Sequence, residues 1–256
     1  LKPTINLNLT KEWKNTEGKG ITLPDSIKIR LQRSSDAGKS WETVKYDGTN
    51  ETITLYQGYD GKWSYPFKDL DQYVNYRADP KVPYIYRVVE VSGDDESETE
   101  IESGGYLNDK YKVAYSENVD CSKISTETPE SKTQSFTITN TYSPKTNIKI
   151  KKQDASTKKP LDGVEFKLEK MKKDTSTNKL VVDDSFKTKS VTTGDSGSLS
   201  GIAEFKDLED GTYRLTETKT VAGYNLLKDP ITIKINRNQE AVSYTHLRAH
   251  ETPEHL

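Results

Sequence analysis

The chain has 256 residues, of which 31% are apolar and 30% charged, with a formal net charge of −2. Balanced charge without a clustered basic stripe excludes a nucleic-acid or membrane-surface binder, and no apolar run reaches the roughly 18 residues of a membrane span. A single cysteine, Cys121, excludes an intrachain disulfide, and neither a signal peptide nor a cofactor motif is visible.

Period-two alternation dominates and predicts strands in chain order: Ile5, Leu7, Leu9; Ile27, Ile29, Leu31; Trp63, Tyr65, Phe67; Val164, Phe166, Leu168; and Ile231, Ile233, Ile235. Turn signals separate them at Asp36 to Ser40, Tyr59 to Lys62, Gly194 to Ser198 and Glu209 to Thr212. The expected class is all-β, a sandwich or small barrel. Two blocks recur in the same order. Phe67-Lys68-Asp69-Leu70 returns as Phe205-Lys206-Asp207-Leu208, and the strand Tyr86 to Glu90 returns as Tyr213 to Glu217. Each half opens on an alternating strand running into lysine, Ile5 to Lys11 and Ile148 to Lys152. The expected division is therefore two tandem modules, 1–143 and 144–241, joined at Ser143-Pro144-Lys145.

Side chains two apart on a strand share a face, so Lys11, Glu90 and Asn140 all fall on core-facing positions. Any one of them singly is explained by a strand surfacing at its end. Three in one module, with the Lys and Glu echoed as Lys152 and Glu217, point to a buried set, which persists only when paired, neutralised or used. Burial lowers a lysine pKa and raises a glutamate pKa. The expected chemistry is a self-made amide between the Lys11 amine and the Asn140 carboxamide. Protonated Glu90 would hydrogen-bond the Asn140 carbonyl oxygen and pass a proton to the leaving ammonia.

With those residues in view, the first half resembles the B-type repeat of Gram-positive collagen adhesins. Lys11-Glu12-Trp13 is similar to its K-x-W, Trp63 to Leu70 to its W-x-Y-x-F-x-x-L, Tyr86 to Glu90 to its Y-x-V-x-E, and Ile138 to Tyr142 to its I-T-N-T-Y. The second half resembles the SpaA-type pilin domain, through Lys152-Gln153-Asp154, Pro160 to Phe166, Tyr213 to Thr218, and Gly223-Tyr224. The resemblance implies immunoglobulin-like or prealbumin-like β-sandwiches and an intramolecular Lys-Asn isopeptide bond. It also implies a structural role in a stalk or pilus on the cell wall, beside neighbouring modules of the same protein.

The stretch Val242 to Thr252 looks like a translated sequencing adapter, so 242–256 is expected to be a non-native tail and the second module to be truncated before its last strand. Lys152 and Glu217 would then lack an acceptor, and a sheet edge would stand open. The spacing of His246, His250 and His255 is accordingly not read as a zinc site. The acidic run Asp94 to Glu102 lacks calcium-loop spacing and reads as a solvated loop. Lys145 reads as a linker lysine, and Cys121 as a small buried apolar residue. A turnover enzyme is not expected, since no histidine lies outside the last eleven residues. The rival reading is an adhesin domain gripping a host matrix protein or glycan through exposed Tyr56, Tyr59, Tyr73, Tyr76 and Tyr84.

Overall fold

The computed structural model describes residues 1–18, 20–195 and 197–236, and the backbone of 244–249. It divides into two compact units, the first spanning Leu1–Tyr142 and the second beginning at Ser143, one residue ahead of the expected boundary. Among the described residues the regular structure is strand, apart from one short 3-10 turn at Cys121–Lys123.

The strands of unit 1 are β1 (Thr4–Lys14), β2 (Ser26–Ser34), β3 (Glu42–Thr43), β4 (Ile53–Tyr56), β5 (Trp63–Asp71) and β6 (Ile85–Ser92). They continue with β7 (Thr99–Glu100), β8 (Tyr106–Leu107), β9 (Tyr111–Tyr115), β10 (Val119–Asp120) and β11 (Thr133–Tyr142). One sheet runs β5-β1-β11-β9-β8; the other runs β10-β6-β2-β3, with β4 added to β2 and β7 to β6. The first and last strands of the unit, β1 and β11, pair in parallel. Between the sheets lie the alternating residues the sequence marks: Ile5, Leu7, Leu9, Ile29, Leu31, Phe67, Val88 and Ile138 are all buried.

Unit 2 contains β12 (Thr146–Asp154), β13 (Glu165–Lys173), β14 (Leu180–Val182), β15 (Lys189–Thr192), β16 (Ile202–Leu208), β17 (Gly211–Lys219), β18 (Ile231–Ile235) and β19 (Tyr244–Ala249). Its sheets run β16-β12-β19 and β14-β13-β17-β18, with β15 on β13. Its core is separate from that of unit 1, built on Ile150, Phe166, Leu168, Phe205 and Tyr213.

The repeated Phe-Lys-Asp-Leu block acquires a physical cause. In both units the register shifts where this block pairs with the opening strand, and Asp69 and Asp207 adopt left-handed φ of 54° and 57°. Each is a bulge. Asp tolerates that conformation better than most residues, and the amide it frees is capped by an Asn of the neighbouring strand. The Asp69 amide donates to Asn6 Oδ1 at 3.1 Å, and the Asp207 amide to Asn147 Oδ1 at 3.0 Å.

Three expectations are corrected. The edge of unit 2 is not open, because the backbone of 244–249 pairs in parallel with β12; a strand of β geometry there satisfies the row of amides and carbonyls that β12 would otherwise leave bare. The acidic run is not simply solvated: Asp95 and Glu98 pair with Lys28, and Glu98 and Glu100 with Arg30, because β7 folds back on β6 and, with the turn before it, brings these carboxylates over β2. Tyr84 is buried rather than exposed, under the Arg33 guanidinium 4.4 Å from its ring, and Tyr73 and Tyr76 are part-covered by Lys81 and Arg77. Tyr56 and Tyr59 remain exposed. Cys121 is fully buried, and burial pushes its thiol up to about 12. Residues 242, 243 and 250–256, with the side chains of 244–249, lie outside the described residues, so the three histidines are not placed as a group.

Candidate cross-linking site

The two sheets of unit 1 bring three distant residues to one point in its core. Lys11 lies on β1, Asn140 on the adjacent β11, and Glu90 faces them from β6 across the sandwich; all are at most 3% exposed. Parallel pairing sets Lys11 opposite Ile138 and Trp13 opposite Asn140, so donor and acceptor are diagonal neighbours on one face. Lys11 Nζ stands 2.7 Å from Glu90 Oε2, and Asn140 Nδ2 donates to Glu90 Oε1 at 3.0 Å. One carboxylate therefore addresses both an amine and an amide, with a different oxygen for each.

Burial pushes the Lys11 amine down to about 8, although the charge and hydrogen bond of Glu90 pull the other way. The aromatic lining supplies that dryness. Lys11 Nζ sits 4.4 Å from the ring centre of Trp13, which packs edge-on against Trp63 and Tyr111 at 5.6 and 4.9 Å. Trp63 is itself the strand partner of Lys11 on β5.

The amide is turned the other way from the expectation. Glu90 meets Asn140 through the nitrogen, and Asn140 Oδ1 is buried without a hydrogen-bond partner among the described residues. An ionised carboxylate only accepts, so it takes the amide N–H; contact with the carbonyl oxygen requires a protonated Glu90 and a half-turn of the amide.

In unit 2 the structure brings Lys152 and Glu217 together, 2.9 Å apart and at most 2% exposed, with Glu217 Oε1 lacking a partner among the described residues. The β12–β19 register sets Lys152 opposite Leu247 and Asp154 opposite Ala249. Position 249 is thus the counterpart of Asn140, and the residue there is alanine. Asp154, the counterpart of Trp13, instead accepts from the Ser156 and Thr157 amides and the Tyr224 hydroxyl, which hold its carboxyl at about 2.

Sequence reasoning named Lys11, Glu90 and Asn140, placed Trp13 only within the K-x-W likeness, and assigned nothing to Tyr115. Tyr115 carries a signal of its own, the inward alternation Tyr111, Val113, Tyr115 along β9.

Residues 146–248 match SpaA, a prealbumin-like fold domain. That range is unit 2 from the first residue of β12 onward, so the SpaA likeness covers the second half of the all-β chain. No curated protein matches the chain. Among solved structures, the chain is similar to the Bacillus anthracis TIE protein at 16% identity, covering 97% of this chain and 34% of that one with a TM-score of 0.35. A streptococcal ancillary pilin aligns at 20% identity over 98% of this chain and 63% of its own, with a TM-score of 0.39. GBS52, the minor pilin of Streptococcus agalactiae, aligns at 14% identity over 98% and 97%, with a TM-score of 0.34. The chain thus spans about a third and under two thirds of the first two.

Proposed function

We propose that the chain is a structural stalk or pilus module of a wall-attached surface protein of a Gram-positive bacterium, whose first unit closes itself with an amide between Lys11 and Asn140. The single observation that carries this reading is the buried carboxylate of Glu90, shared at hydrogen-bond distance between the Lys11 amine and the Asn140 amide. The SpaA match of the second unit supports the pilin-type setting, with neighbouring modules of the same surface protein as partners.

The chemistry balances without a cofactor. Glu90 takes a proton from the Lys11 ammonium, leaving a neutral amine and a carboxylic acid, the form a dry site favours over two charges. The amine nitrogen attacks Asn140 Cγ, a Cγ–Nζ bond forms and the Cγ–Nδ2 bond breaks. Glu90 passes the proton shed by Nζ to Nδ2. Ammonia leaves, carrying the carboxyl proton with it as ammonium. Folding supplies the proximity that makes an unactivated amide reactive. In unit 2 the absence of an asparagine at position 249 leaves Lys152 and Glu217 as an uncross-linked pair.

The test is the intact mass of the purified chain beside Glu90→Ala. The expected result is a wild-type mass one ammonia below the sequence value, restored in the variant, with a branched peptide joining Lys11 to Asn140. An unshifted mass overturns the cross-link and gives first place to a ligand-binding module that uses Tyr56 and Tyr59; loss of two ammonias overturns the reading of unit 2.

A further inference from the structure

We propose that Tyr115 is a positioning residue for Glu90, which rests on the reading of Lys11, Glu90 and Asn140 as a cross-linking set. The outer edge of β6 is paired at two places, by β10 at Ile85 and Tyr86 and by β7 at Val91 and Ser92. Between them, among the described residues, no strand reaches the stretch ending at Glu90. The backbone of Glu90 would be the loose point of that edge, and it is fixed instead by a three-membered circuit. The Ile101 amide donates to the Glu90 carbonyl at 2.9 Å, the Glu90 amide donates to Tyr115 Oη at 3.0 Å, and Tyr115 Oη donates to the Ile101 carbonyl at 2.7 Å.

Tyr115 belongs to the opposite sheet. On β9 it stands beside Ile138 of β11, two residues beyond the pairing of Val113 with Asn140. One phenol therefore ties the backbone of the acid to the strand next to the acceptor, across the sandwich. Beside it lies a cavity of about 230 Å³, lined among others by Arg87, Val88, Glu100, Ile101 and Phe136, into which the gap in the edge could relax. Glu90 must address an amine and an amide with two oxygens at once, and a misplacement of about 1 Å is worth on the order of 100-fold in rate. Removing the hydroxyl leaves the Glu90 amide without its acceptor and lets the carboxylate drift, while every apolar contact of the ring stays.

The experiment uses the full chain, recovered unfolded in denaturant from inclusion bodies, refolded by dilution and followed both by tryptophan fluorescence and by intact mass. Tyr115→Phe is compared with the wild type, and Asn140→Ala with Asn140→Ala/Tyr115→Phe to read the cost to the fold in chains that cannot cross-link. The expected result is fluorescence regained as in the wild type, with ammonia loss at least about tenfold slower. Equal rates of ammonia loss overturn the proposal. So does a Tyr115→Phe chain that fails to regain the wild-type fluorescence, since Tyr115 would then hold the fold rather than the acid. A wild-type chain that refolds and sheds no ammonia overturns the reading of the site itself, and is told apart by that control.

Discussion

The Lys11 amine fixes how the site responds to pH. Burial pushes it down to about 8, so below that value it stands as the ammonium that hands its proton to Glu90 in the proposed step, and above it that proton is gone. The rate of ammonia loss in refolding chain is therefore expected to be level through neutral pH and to fall above about 8; a rate that climbs through pH 8 would place the reactive proton elsewhere. Stability moves in the opposite direction. The folded amine has a pKa below its ordinary value, so between about 8 and that value the unfolded chain binds more protons, and stability rises with pH across the window. In urea titrations, Asn140→Ala is expected to gain stability from neutral to alkaline pH relative to Asn140→Ala/Lys11→Met, and equal slopes would contradict the buried charge. The three residues of the set were legible because strand period alone puts them on the inner face. The direction of the Asn140 amide was not, since the group it meets, Glu90, arrives from another sheet. Tyr84 failed for a similar reason: the cation that covers it, Arg33, arrives from β2.

At the scale of strands, the repeated bulge and the β6–β7 turn carry conformations that few residues accept. Asp69 sits at φ 54°, so Asp69→Gly is expected to be nearly neutral, while Asp69→Val is expected to cost about 1 to 2 kcal/mol in the urea midpoint of unit 1. Equal effects would mean that the bulge is not held by its left-handed residue. Gly93 is more constrained, at φ +97° with its Cα directed at the Ser97 carbonyl oxygen, where an added Cβ would collide. Gly93→Ala is expected to lower the melting temperature of unit 1 by displacing β7 and the turn before it, which bring Glu100 and Glu98 to Arg30 just beside the circuit that holds Glu90. Sequence repetition disclosed the bulge as a recurring word without its cause, since the amide that Asn6 caps lies more than sixty residues away. The parallel sense of the β1–β11 pairing was hidden, because partners at opposite ends of a unit leave no local trace, although the expected Lys11–Asn140 amide already joined the two strands. The ion pairs over β2 were missed on the same ground: a run of carboxylates reads as solvated until the strand bearing the cations is brought beneath it.

The molecule as a whole is two cores on one chain, and damage to one is expected to leave the chemistry of the other intact. Phe166 is fully buried in unit 2, so Phe166→Ala is expected to cost that unit about 3 to 5 kcal/mol while the mass still reports one ammonia lost. A variant that no longer cross-links would show that unit 1 needs its neighbour to fold. Loss of the staple itself should be felt across unit 1: closing a loop of about 130 residues is worth some 4 to 5 kcal/mol by analogy with a disulfide, so Asn140→Ala should unfold at correspondingly lower denaturant. The parallel pairing of β1 with β11 has one more consequence. It makes the proposed bond join the first strand of unit 1 to its last, so the covalent object within that unit is a ring rather than a line. A protease that cuts once anywhere between Lys11 and Asn140 would open the ring without releasing a fragment, and under reducing, denaturing electrophoresis unit 1 would still travel as one piece.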